Sequence, residues 1–171
     1  MSILLAAAIG GSAALAAPDV HVAYHGHVIT HPGVTGRLAW SLAAREDARV
    51  RLHPELEAGG WVHPRNQLAL FARGGMALAH RGAKGGAHDL FVHVGGQRST
   101  WTVPTYVVDG DDEELGRPVL AGQWWGTLTA GIGLGRNAWF VRPQLTFRGP
   151  YFHGLGTDVA LQIGMRLGGG A

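Results

Sequence analysis

From Asp19 onward, apolar and polar residues alternate with a period of two, the mark of strands whose two faces meet different surroundings. In residues 156–167, Val159, Leu161, Ile163, Met165 and Leu167 share one parity, and Asp158, Ala160, Gln162, Gly164 and Arg166 share the other. Seven earlier stretches repeat the pattern, at 19–30, 34–43, 48–60, 67–79, 89–98, 119–135 and 138–148. The first of them sets Val20, Val22, Tyr24, Gly26 and Val28 against His21, Ala23, His25, His27 and Ile29. No stretch shows the apolar recurrence of a helix.

The alternation therefore predicts eight strands, mostly ten to thirteen residues long. Strands of globular proteins average about 5 to 6 residues, whereas a tilted membrane strand needs about 9 to 11. Length thus favours a membrane barrel over a soluble one. Turns are expected at His31-Pro32-Gly33, Arg45-Glu46-Asp47, residues 80–87 and Gly135-Arg136-Asn137, with residues 61–66 as a loop and 99–118 as the longest irregular stretch. Pro54 cannot donate to a ladder, so it belongs at a bulge or an open edge. Trp61, Trp101, Trp124, Trp125 and Tyr151 fall toward the loop rim and Trp40 and Trp139 toward the turn rim, as two interfacial girdles would.

Composition agrees with this picture. The 28 glycines among 171 residues are more than twice the usual share of about 7%. Charged residues are only 15% of the chain, against about 25% in a typical soluble domain. Net charge is +2, and the 14 cations are scattered singly, so nucleic acid is not an expected partner. Without cysteine the chain has no disulfide, thiolate site or thiol nucleophile. Residues 1–17, MSILLAAAIGGSAALAA, are short, apolar and end in the small-x-small triplet Ala14-Leu15-Ala16. That predicts a secretory signal peptide over residues 1–16, although no Lys or Arg precedes it, and a single barrel domain over 17–171.

In strand pattern and closing strand the chain resembles the small eight-stranded outer-membrane barrels of the OmpA and OmpX type. The resemblance covers residues 19–167 and is architectural. It implies an all-β, eight-stranded antiparallel up-and-down barrel that is transmembrane, in the outer membrane of a Gram-negative bacterium. Such barrels usually end in an aromatic residue, whereas this chain ends Leu167-Gly-Gly-Gly-Ala171.

An eight-stranded barrel leaves an interior just wide enough for side chains to fill, so the polar parity predicts a plugged lumen of paired charges. Antiparallel pairing is expected to set Arg37 opposite Glu55 and Arg73 across from Glu55 or Glu57. The spacing His25-x-His27 puts two imidazoles on one face about 7 Å apart at the backbone, and Asp158 on the closing strand makes a candidate third metal ligand. Arg37 nearby opposes a cation there. A lipid-modifying enzyme needs a hydroxyl and a histidine at the rim, for which Ser99, His93 and His153 stand at suitable heights, but no catalytic motif is present. The acidic run at 109–114 lacks the spacing of a calcium loop.

The expected role is structural or surface-interacting, exercised by a monomer through its loops, with outer-membrane lipid as the surrounding partner and no cofactor implied. A soluble lipocalin-like barrel holding a small apolar ligand is the alternative, and it requires the apolar parity to point inward.

Overall fold

The computed structural model describes residues 17–27, 31–42, 50–63, 67–82, 86–101, 106–109, 112–115, 122–151 and 154–168. In chain order the strands are β1 (Asp19–His27), β2 (Gly33–Ala39), β3 (Val50–His63), β4 (Gln67–Arg81), β5 (Gly86–Trp101), β6 (Tyr106–Asp109), β7 (Asp112–Leu115), β8 (Gly122–Arg136), β9 (Trp139–Tyr151) and β10 (Gly154–Gly168). Eight of them close into an antiparallel barrel in the order β1-β10-β9-β8-β5-β4-β3-β2, while β6 and β7 form a separate hairpin. The closing ladder runs from Val20↔Gly168 to His27↔Ala160, so no edge strand is left in the barrel. This is the architecture of a transmembrane barrel, in which every spanning backbone group is paired between strands.

Side chains sort by parity as alternation demands, and the sorting is inverted relative to a soluble protein. Val34, Leu70, Val94 and Val159 are 57–66% exposed on the outside, whereas Arg142 and His93 are 0% exposed on the inside. Among the described residues no Leu, Ile, Val or Met is buried. The lipocalin-like alternative is overturned by this orientation, because the apolar parity faces outward and the Arg, Glu and His parity fills the interior.

Several boundaries differ from the sequence reading. The stretch 61–66, expected as a loop, begins with strand: β3 runs on through Trp61, Val62 and His63, which pair with Ala69, Leu68 and Gln67. Residues 80–87, expected as a turn throughout, are partly ladder, with His80↔His88 and Arg81↔Ala87 paired and Gly82 N–H donating to Gly86 at 2.8 Å. The stretch 99–118 is not wholly irregular, since β5 reaches Trp101 and β6 pairs with β7. Ladder pairing thus continues past the alternating core of β3, β4 and β5. The turn after β8 is Asn137-Ala138, with Asn137 at φ 56°, a left-handed conformation that Asn tolerates.

The two-girdle expectation holds only in part. Trp124 and Trp139 project outward, 65% and 61% exposed, but Trp61 and Trp125 are buried inside the barrel. Neighbouring residues of a strand face opposite sides, so Trp124 and Trp125 cannot both meet lipid. The side chains of Trp101 and Tyr151 lie outside the described residues, as do the signal-peptide stretch, Arg45-Glu46-Asp47 and His153.

Pro54 sits where the β2–β3 ladder lapses, between the last regular pair, Ala39↔Glu55, and the isolated bridge Leu42↔Leu52. Its carbonyl still accepts from the Trp40 N–H at 3.0 Å. Glycines on the inward parity make room for the large side chains of adjacent strands. A Cβ at Gly131 would lie 2.6 Å from the Phe91 ring, and one at Gly75 would lie 2.7 Å from the His93 ring.

Candidate functional site

Alternation on β3 aims Glu55 and Glu57 into the barrel, two residues apart, and the surrounding strands converge cations on them. The Arg73 guanidinium donates to Glu57 Oε1 at 2.7 Å, to Gln144 Oε1 at 2.9 Å and to Thr129 Oγ1 at 2.9 Å. Glu57 Oε1 also accepts from Gln162 Nε2 at 2.5 Å and from Thr35 Oγ1 at 3.0 Å. Arg37 Nη1 donates to Glu55 Oε1 at 3.2 Å. The four residues Arg37, Glu55, Glu57 and Arg73 thus meet in the interior. Arg37 is level with Glu57 in the ladder, yet its guanidinium bonds Glu55, one pleat along the same face.

Three further groups complete this cluster, and pairing arguments from the sequence missed them. Arg142 Nη2 donates to Glu55 Oε2 at 3.0 Å and to Asp89 Oδ1 at 2.6 Å, with its guanidinium 3.8 Å over the Phe91 ring. His93 stands between the two glutamates, Nε2 2.9 Å from Glu55 Oε2 and Nδ1 3.6 Å from Glu57 Oε2. The cluster thus joins β2, β3, β4, β5, β8, β9 and β10. Arg142 lies on the inward parity between Phe140 and Gln144, and that parity was the one available signal. Neighbour-to-neighbour pairing could not find it, because Arg142 reaches across the lumen to β3.

At the loop end the lumen is aromatic. The His27 imidazole stacks on Trp61 at 4.1 Å and 7°, and its Nδ1 lies 3.1 Å from His31 Nδ1. His27 Nε2 is 3.3 Å from Asp158 Oδ1, which also accepts from Arg148 at 2.9 Å. Of the predicted metal set, His27 and Asp158 are therefore brought together, but His25 is not with them. Its Nδ1 faces Gln144 and Gln162, each at 3.5 Å, and its ring packs 5.1 Å from Phe71. Among the described residues no three His, Asp or Glu side chains are arranged to hold a metal ion. His31 lies outside the strands, where burial and then the neighbouring imidazoles of His63 and His27 hold its pKa below the ordinary histidine value.

Of the rim residues, Ser99 and His93 do not come together, and His153 lies outside the described residues. Ser99 and His93 are six residues apart on β5, about 20 Å at roughly 3.3 Å per residue. Ser99 instead accepts from Gln97 Nε2 at 3.2 Å, and His93 is enclosed by carboxylates in the middle of the barrel.

The barrel is similar to solved structures of small outer-membrane proteins. Ail, the attachment invasion locus protein of Yersinia pestis, superposes with a TM-score of 0.54 at 6% identity, over 89% of this chain and 97% of that one. The outer-membrane enzyme PagL superposes with a TM-score of 0.53 at 12% identity, over 88% of this chain and 99% of that one. No protein-family model and no curated protein matches the sequence. At these identities the likeness establishes a shared fold, and what the interior does rests on the contacts above.

Proposed function

We propose that the protein is an outer-membrane barrel of a Gram-negative bacterium whose lumen is a closed polar plug and whose role is structural or surface-interacting, exercised through its loops. The observation that carries the reading is the inversion of burial: apolar side chains ring the outside while Arg73, Arg142, Glu55, Glu57 and His93 fill the middle. An apolar exterior of this extent suits hydrocarbon, and charges inside a closed barrel persist when each is paired. Outer-membrane lipid is its surrounding partner. Ail, an attachment invasion locus protein of the same fold, supports surface interaction as the kind of role such a barrel takes.

Fractionation and conductance test the two halves of this reading. The chain is expected in the outer-membrane fraction, extracted only by detergent, and recovery in the soluble fraction overturns the placement. Reconstituted in planar bilayers, it is expected to show no ion conductance. The Arg73→Ala/Glu57→Ala pair, which removes two of the five groups that fill the middle of the lumen, is expected to open discrete conductance steps. Steady conductance of the unaltered protein overturns the plug.

A further inference from the structure

We infer that the turn-side end of the lumen is a binding site for a small multivalent anion, of the phosphate or dicarboxylate class. A cavity of about 310 Å³ lies there, bordered by β1 to β5 and β10. That is about ten times a water molecule's share of liquid volume and lies at the lower bound of small-ligand sites. Its walls are the inward faces of the strands, so what enters comes from solvent and not from the bilayer.

The charge balance of the walls selects the ligand. Among the described residues, Arg37, Arg51, Arg81 and Arg166 border the cavity, against the carboxylates Asp19, Glu55 and Asp89, a formal surplus of +1. Arg142, behind the wall, already donates to both Glu55 and Asp89, which raises the surplus to +2. Asp19 is likewise occupied, accepting from Arg166 at 2.7 Å. His21 and His53 also line the space, and an imidazole, neutral or protonated, cannot subtract from a positive balance.

A second observation points the same way. Arg37 is only 6% exposed, and although its two terminal nitrogens bond Glu55 and His21, its buried Nε–H has no partner. A guanidinium so desolvated favours an acceptor that is itself charged. An anion with several oxygens meets that need and offsets the surplus.

This inference goes beyond the plug reading and is tested apart from it, without a bilayer. The full chain, folded in a maltoside detergent free of phosphate, is titrated with inorganic phosphate and with succinate, using sodium chloride of matched ionic strength as baseline. Calorimetry reads the affinity, and NMR of the arginine Nε–H and histidine ring signals reads the place. Saturable one-to-one binding is expected, with shifts at Arg37, His21 and His53. Arg51→Gln and Arg166→Gln are each expected to weaken it about tenfold or more, as loss of a charge-assisted contact does. Arg136→Gln, at the exposed end of β8 and not among the cavity's walls, is expected to leave it unchanged. Only barrel-folded variants, checked by heat-shifted gel migration, are compared, and the Arg51→Gln arm keeps the test open if Arg166→Gln disturbs the Asp19 pair. No saturation by either anion overturns the inference, and so does binding that Arg51→Gln leaves intact.

Discussion

The middle of the lumen and its turn-side end draw on the same residue types, yet one is filled and the other is hollow. In the middle, arginines on β4 and β9 reach carboxylates on β3 and β5, and aromatic rings and glycines of neighbouring strands fit around them. At the turn side the charges sit on the walls, while Ala39, Ala77, Ala79 and Ala87 take the inward positions between them. Charge content therefore does not decide whether a small barrel is plugged. In the middle, Arg73, Arg142, Phe91 and His93 fill the space that inward glycines such as Gly75 and Gly131 leave, whereas at the turn side no such side chain among the described residues crosses the space beside the alanines.

The sharpest break in that contrast is Arg142→Met. It leaves Asp89 and Glu55 facing each other inside the barrel without their shared cation, so it is expected to cost about 3–5 kcal/mol in denaturant unfolding from detergent micelles. Gly131→Ala attacks the packing of the filled region, since the added methyl meets the Phe91 ring at 2.6 Å. About 1–3 kcal/mol is expected by the same measurement. Ala79→Leu makes the matching change in the hollow region, at a half-buried side chain that lines the cavity. It is expected to be neutral or to stabilise by about 0.5 kcal/mol while abolishing phosphate binding. A cost like that of Gly131→Ala would erase the distinction between the two regions.

The smallest effect is expected at the loop rim, from His31. Its pKa is lowered in the folded protein, so the unfolded chain binds the proton more readily as pH falls through about 6.5. The stabilising contribution is present above that pH and is lost below it. Acidification from pH 7.5 to 5.5 is therefore expected to lower the stability of the unaltered protein more than that of His31→Ala, read by denaturant unfolding from detergent micelles followed through Trp61 fluorescence. An equal pH dependence in the two would remove His31 from the account.

The strands were legible because a membrane barrel writes both its faces into every strand. Val50, Leu52 and Leu56 against Arg51, His53, Glu55 and Glu57 already name an outside and an inside. The strand ends were less legible. At His80 and at Trp61 the alternation gives way to small or aromatic residues, and backbone pairing carries on without it. The candidate site was half legible. Arg37, Glu55, Glu57 and Arg73 lie on three consecutive strands, so neighbour pairing alone puts them within reach. His93 and Arg142 enter only because the barrel closes and faces them toward β3.

By itself, then, the sequence determined the class of fold, the number of spanning strands and which face of each alternating stretch turns inward, since all three follow from a period of two and from strand length. It did not determine the inward place of Trp61 and Trp125. The tertiary structure decided which inward groups meet. Gln162 on the last strand donates to Glu57, 105 residues earlier in the chain, and Gln144 shares Arg73 with it. Such contacts depend on the stagger and curvature of the closed sheet, which are properties of all eight strands together and are encoded in no single one of them.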